Sequence, residues 1–346
     1  MRIAVIAPPW VPVPPPAYGG TEVVLDGLCR GLTEAGHEVL LYASGDSTCP
    51  VARDFTFELA PGVESISPAA ELRHVIRGYD AVRDFDADVV HDHTLVGPVY
   101  AERFPELRVA TTNHGPFNGD LDVLYRALAD RVPVVAISHS QASTAPDIPI
   151  AAVIHHGVDP ARFPVGSGAG GYALFLGRMV PEKGVHTAIR AARAAGVPLL
   201  IAAKMREQHE YEYFTERVKP LLGGDVEYVG EVGGDRKLQF LGDAACLLNP
   251  VAWPEPFGMV MIEALACGTP VVATPCGATS EIVEEGVTGF LRSDEDVLAA
   301  AVENVGELDR AACRAAVEER FSHRRMANDH VALYERIAAP SLRDVA

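Results

Sequence analysis

Short β-branched runs alternate with helical stretches twice along this chain, and one Pro- and Gly-rich stretch separates the two series. The first series runs "RIAVIA" (2–7), a helix from about Thr21 to Ala35, "EVLLYA" (38–43), a helix over 68–84, "DVVH" (88–91), "VATTN" (109–113), a helix over 121–130 and "VVAIS" (134–138). The break is "DPARFPVGSGAGG" (159–171), which reads as an interdomain linker. The second series runs "YALFLG" (172–177), a helix over 184–195, "PLLIAA" (198–203), a helix over 207–218, "VEYVG" (226–230), a helix over 235–243, "ACLLN" (245–249), a further helix and "PVVAT" (270–274). Strands spaced by helices require crossover connections, so each series predicts a parallel, doubly wound α/β sheet. A length of 346 residues, at roughly 150 residues per domain, agrees with two domains, 1–163 and 164–322.

Charge narrows the partners. The formal net charge of −18 opposes nucleic acid and anionic lipid, both of which attract cationic surfaces. An anionic ligand therefore needs a local cationic site, which makes each Lys or Arg in a strand-exit loop informative. The six cysteines (Cys29, Cys49, Cys246, Cys267, Cys276, Cys313) show no Cys-x-x-Cys pair, which predicts reduced, mostly buried thiols without disulfides. No apolar run approaches the roughly 18 residues of a membrane span, and Met1 leads straight into a strand, so a cytoplasmic protein is expected.

In open parallel sheets, ligands bind beyond the carboxyl ends of the strands. After the first strand comes "PPWVPVPPPAYGGTE", which ends in Gly19 and Gly20 before a helix that Thr21 can cap. Bare backbone N–H groups there suit phosphate, although a tight turn with positive φ explains the same pair. After the first strand of the second series comes "GRMVPEKG", with Arg178 and Lys183 five residues apart. A guanidinium fork and a point-charge ammonium suit a diphosphate; a solvated surface loop is the competing reading.

"PVAWPEPFGMVMIEALACGTPVV" (250–272) holds Glu255 and Glu263 eight positions apart. Pro256 fits the first turn of a helix running from Phe257 until Gly268 ends it. Glu255 then stands at the helix N-terminus, and Glu263 lies roughly 9 Å deeper than Phe257 at 1.5 Å per residue. A carboxylate accepts two ribose hydroxyls well, which gives an acid a reason to sit among Met261, Ile262, Ala264 and Leu265.

These residues resemble the family 4 glycosyltransferases of GT-B fold, whose mark is a Glu-x7-Glu motif, found here as "EPFGMVMIEALACGTPVV". "YGGTE" (18–22), "AGHEV" (35–39), "DVVHDH" (88–93), "TTNHG" (111–115), "GVDPARF" (157–163), "LGRMVPEKG" (176–184), "GEV" (230–232) and "EIVEEGVTGFL" (281–291) fall in family order. The resemblance implies two Rossmann-like domains facing a central cleft, with a C-terminal helix within 323–346 returning to the first. It also implies transfer from a nucleoside-diphosphate sugar with retention of configuration and no essential metal.

By the same resemblance, Glu255 would contact the transferring sugar, Glu263 the ribose, and Arg178 with Lys183 the diphosphate. His114 would sit over the sugar beside the acceptor. Gly19 and Gly20 would line the cleft, and the backbone N–H groups of Phe257, Gly258, Met259 and Val260 would complete the donor site. Two positions depart from the family pattern. Cys276 stands where glycine is common in "CGATSE", and His156 replaces the frequent Asn before "GVD", a change expected to affect the linker more than chemistry.

Without a metal, Arg178, Lys183 and the helix N-terminus must stabilise the departing phosphate oxygen. Front-face attack by an acceptor hydroxyl accounts for retention, while Glu255 as a covalent nucleophile remains open. Asp86-Ala87-Asp88 mimics a metal-binding Asp-x-Asp, but it precedes a strand; His91 and His93 share a strand face without an evident third ligand. The expected activity is hexosyl transfer from a nucleotide sugar, UDP being the commonest carrier in this family, to a small soluble acceptor such as a sugar, glycoside or natural product. The lack of a basic amphipathic helix argues against strong membrane binding. A sugar-nucleotide epimerase, a phosphorylase and a non-catalytic sugar-nucleotide sensor are the competing readings.

Overall fold

A computed structural model describes residues Met1–Ala339. The described chain forms two compact units: Met1–Pro15, Gly19–Gly157 and His323–Ala339 make the first, and Pro16–Tyr18 with Val158–Ser322 make the second. The boundary expected from sequence lies between 163 and 164; the units divide between Gly157 and Val158. The helix His323–Ala338 belongs to the first unit, and residues 340–346 of the expected terminal segment lie outside the described residues.

The first unit is built on a seven-stranded sheet: β1 (Arg2–Ile6), β2 (Glu38–Ala43), β3 (Ala52–Phe55), β4 (Val89–Asp92), β5 (Val109–Thr112), β6 (Val134–Ala136) and β7 (Ile150–Val153), in the order β3-β2-β1-β4-β5-β6-β7. Every neighbouring pair is parallel. Helices cover both faces of such a sheet, so the inner strand β1 is apolar beyond Arg2: Ile3, Ala4, Val5 and Ile6 are fully buried. The edge strand β3, "ARDF", is exposed along its length, and its charges blunt the free edge.

The second unit repeats the plan with β8 (Ala173–Arg178), β9 (Leu199–Lys204), β10 (Val226–Gly230), β11 (Cys246–Asn249), β12 (Val271–Ala273) and β13 (Gly289–Leu291), in the order β10-β9-β8-β11-β12-β13. These pairs are also all parallel. The strand order reverses at β8/β11, as it does at β1/β4 in the first unit. At such a point the crossovers leave on opposite faces and open a crevice at the carboxyl ends.

Three local expectations are corrected. The helix after β11 begins at Met259, because Gly258 takes φ 103°, a left-handed conformation that interrupts a right-handed helix. Pro256 and Phe257 therefore lie before the helix. The helix Gly20–Glu34 is preceded by Gly19 with no capping side chain, so Thr21 lies inside its first turn. The helix expected over 207–218 is α-helical only for Gln208–Tyr213 and then widens into a π-turn over Phe214–Val218. All six cysteines are free, and five of them are buried.

Candidate functional site

At the reversal point of the second sheet, Arg178 is the last residue of β8. The loop that follows turns back through Gly184 at φ 73°, where a Cβ would lie 2.0 Å from the Pro250 carbonyl oxygen. Only glycine permits that approach. The backbone N–H of Ala252 donates to the Glu182 carbonyl at 2.8 Å. The Arg178–Lys183 loop and the exit of β11 are thus fastened together, which brings the Lys183 Nζ into an ion pair with Glu255 Oε2. The Trp253 indole N–H donates to the same oxygen at 3.1 Å, and the ammonium lies 5.4 Å from the Trp253 ring centroid.

Glu255 is held from behind as well. Gly277 has φ 69°, and a Cβ there would stand 2.2 Å from the Glu255 amide nitrogen. The Ala278 N–H donates to the Glu255 carbonyl at 2.8 Å. The "CGATSE" segment therefore shapes the Glu255 backbone through Gly277, while Cys276 beside it is half-buried.

Arg178 is oriented by two carboxylates, Glu210 Oε1 at 3.0 Å and Glu207 Oε1 at 3.1 Å. Glu210 is fully buried and accepts backbone N–H bonds from Arg206 at 2.6 Å and Glu207 at 3.0 Å. Burial alone would raise its pKa; the two amides and Arg178 outweigh that and lower it. Glu263, the fifth residue of the helix Met259–Ala266, is 4% exposed and paired at 2.6 Å with Lys237 of the helix Gly234–Asp243. Phe257 and Gly258 lead into that helix, and Met259 and Val260 begin it without a side-chain cap, leaving early helical N–H groups available to an anion.

Gly19, Gly20 and His114 belong to the first unit. Gly19 has φ 177°, an extended conformation, so it is not a positive-φ turn. Its missing Cβ makes room for Glu22 and Pro15, which would stand 2.7 Å and 2.8 Å from one. Burial pushes the Glu22 carboxyl up to about 7.

His114 follows β5 and stands between two other imidazoles, His93 beyond β4 and His156 beyond β7. His93 Nδ1 lies 2.9 Å from its Nε2, and His156 Nε2 lies 3.4 Å from its Nδ1. Burial holds His114 down to about 4 and drives His93 and His156 well below the usual range. The His156 ring thus stacks on His114 at 5.2 Å, a role that the linker expectation did not foresee. His91 packs against His93, with centroids 4.0 Å apart, and is bonded to Tyr334 Oη at 2.6 Å and Thr112 Oγ1 at 2.8 Å. Among the described residues no three His, Cys, Asp or Glu side chains are grouped to hold a metal ion, and no helix is long and apolar enough to cross a membrane.

Trp253, Lys237, Glu210, Gly277 and the His114 neighbours were not assigned from sequence. Trp253 meets Glu255 two positions away, but Lys237 and Glu263 are 26 positions apart and Arg178 and Glu210 are 32 apart, so only the packed fold reveals those pairs. One signal was available: His93 and His156 both lie just beyond strands, as His114 does.

Residues 18–162 match the model of "Glycosyltransferase Family 4" and residues 163–320 that of "Glycosyl transferases group 1". The chain is 28% identical to a glycogen synthase of Mycobacterium tuberculosis, across 95% of this chain and 91% of that protein. AviGT4, a glycosyltransferase involved in avilamycin A biosynthesis, superposes with a TM-score of 0.73 at 28% identity and 98% coverage of both chains. Anabaena Alr3699/HepE, solved in complex with UDP and glucose, has the same fold at 19% identity, a TM-score of 0.75 and coverage of 97% and 99%. With both halves of the chain matched and both sheets doubly wound, the protein belongs to the family 4 glycosyltransferases, built from two Rossmann-like domains of GT-B type.

Proposed function

We propose that this protein transfers a hexose-type sugar from a nucleoside-diphosphate sugar, UDP being the favoured carrier, to a hydroxyl of a small soluble acceptor in the cytoplasm, with retention and without a metal. The observation that carries the reading is the convergence at the β8/β11 reversal of Lys183 with Glu255, of Arg178 on the adjoining strand end, and of an uncapped helix start at Met259. Cations and amide dipoles gathered at one sheet edge match a leaving group that gains negative charge as its bond to the sugar breaks. The UDP held by Anabaena Alr3699/HepE supports the choice of nucleotide.

In this reading the C1–O bond to the diphosphate breaks while the acceptor oxygen bonds C1 on the same face. The acceptor proton passes to the departing phosphate oxygen, giving glycoside and nucleoside diphosphate. Arg178 and Lys183 hold the phosphates, Glu255 meets the sugar and Glu263 meets the ribose. Both glutamates already face a lysine, so the donor must share or displace those ion pairs as it binds. His114, kept neutral at pH 7 by burial, would offer the sugar a polar but uncharged neighbour.

The test supplies UDP-, GDP-, ADP- and TDP-hexoses with an acceptor panel, with and without EDTA, and follows the nucleotide and the glycoside anomer. Free diphosphate with a glycoside of unchanged anomeric configuration, insensitive to EDTA, is expected. An isomerised nucleotide sugar would instead indicate an epimerase, and a sugar phosphate a phosphorylase. Binding without turnover would indicate a sensor.

A further inference from the structure

Lys204, the last residue of β9, is unlike the other cations around it. It pairs in register with Arg178, the last residue of the adjacent parallel strand β8. In-register side chains on neighbouring strands share a face about 5 Å apart. Lys204 is only 8% exposed, yet its ammonium is not among the sealed polar atoms, so a buried stem carries an open tip. Arg178, Lys183, Arg206 and Lys237 each have a carboxylate within ion-pair distance. Among the described residues Lys204 has none, and its ammonium lies 5.6 Å from the Tyr18 ring centroid.

In a chain with 47 acids and 29 Lys and Arg, carboxylates are plentiful, so a mostly buried lysine whose open ammonium faces none stands out. Burial first, and the nearby Arg178 charge second, push the Lys204 pKa down, while Glu210 and Glu207 pull it back in part. A ligand anion bridging Arg178 and Lys204 would relieve both effects.

We propose that Lys204 is a third diphosphate-binding cation, reaching the donor's phosphates from β9 as Arg178 and Lys183 do from β8. The proposal rests on the nucleotide-sugar reading of the same site. It adds that the diphosphate is gripped across the β9 and β8 exits, so phosphate recognition extends to the side of β8 away from the strand reversal at β11.

The test compares wild type, Lys204→Met and Lys204→Arg by calorimetric titration with a nucleoside and its diphosphate, uridine and UDP first, then the guanosine, adenosine and thymidine pairs. Melting without ligand serves as the control for folding. Lys204→Met keeps the stem and removes the charge. Loss of one charge-assisted bond is expected to weaken diphosphate binding about tenfold or more while leaving nucleoside binding unchanged. Lys204→Arg should stay within a few-fold of wild type.

Equal loss for nucleoside and diphosphate, or no loss for either, overturns the diphosphate role of Lys204 while the transferase reading stands. If wild type binds none of the four diphosphates, both readings fall together.

Discussion

Lys183 and Glu255 show how much one pair of side chains is asked to do. Their side chains are 19% and 10% exposed, so removing either partner leaves the other charge poorly solvated. Lys183→Met and Glu255→Gln are each expected to lower stability by about 2 kcal/mol, the range for orphaning a partly buried charge, and to abolish transfer. The double substitution should recover most of the stability and none of the activity. Melting curves and initial rates on the four proteins test this as a cycle, and simple additivity of the two stability losses would show that the pair is not coupled. Arg178, Lys183 and Glu255 drew attention in the sequence because they lie at or beyond strand ends of a recognisable alternation. The Lys237 partner of Glu263 was not, since a lysine on one helix and a glutamate on another, 26 positions apart, meet only once the helices have packed.

At the scale of elements, the alternation of β-branched runs with helices located most strands, because period-2 and period-3.6 patterns are distinct over ten residues. It missed β3, β7 and β13, of which β3 is wholly exposed and the other two only partly buried, so none is the fully buried run seen in the equally short β4, β5, β6, β11 and β12. It also started the helix after β11 two residues early, since a left-handed glycine stops a helix without altering the apolar pattern. Gly277 belongs at this scale too, because it lets one loop seat against another. Gly277→Ala introduces strain of at least about 1 kcal/mol from the left-handed φ and drives a Cβ into the Glu255 backbone. Its kcat/KM should fall well below that of Ala278→Gly, which adds no atom. Equal rates for the two variants would mean that the loop does not set the Glu255 position.

At the scale of the whole molecule, acidity should act chiefly on the first unit. Burial drives His74, His114 and His330 down to about 4, and His91, His93 and His156 well below the usual range. An unfolded chain binds protons at these positions near pH 6.5, while the folded unit resists to lower pH, about 4 for His74, His114 and His330. Their stabilising contribution is therefore complete above about 6.5 and is lost as pH falls through that window. Glu22 and Asp92, raised to about 7 and about 6, and Glu71, also raised, act with the opposite sign, but six imidazoles outnumber three carboxyls. With Trp253→Phe, Trp10 becomes the only indole and reports the first unit. Its melting temperature should be lower at pH 5 than at pH 7, and an equal or higher value would contradict the balance of charges argued here.

The helix His323–Ala338 follows the second unit along the chain but belongs to the first. Gly31 of the helix Gly20–Glu34 lies so close to it that a Cβ there would stand 2.7 Å from that of Ala327. Tyr334 from the same helix supplies the hydroxyl that meets His91. A ribosome making this chain in order thus releases every residue of the second sheet before the first sheet has its last covering helix, so the domain begun first is the one finished last.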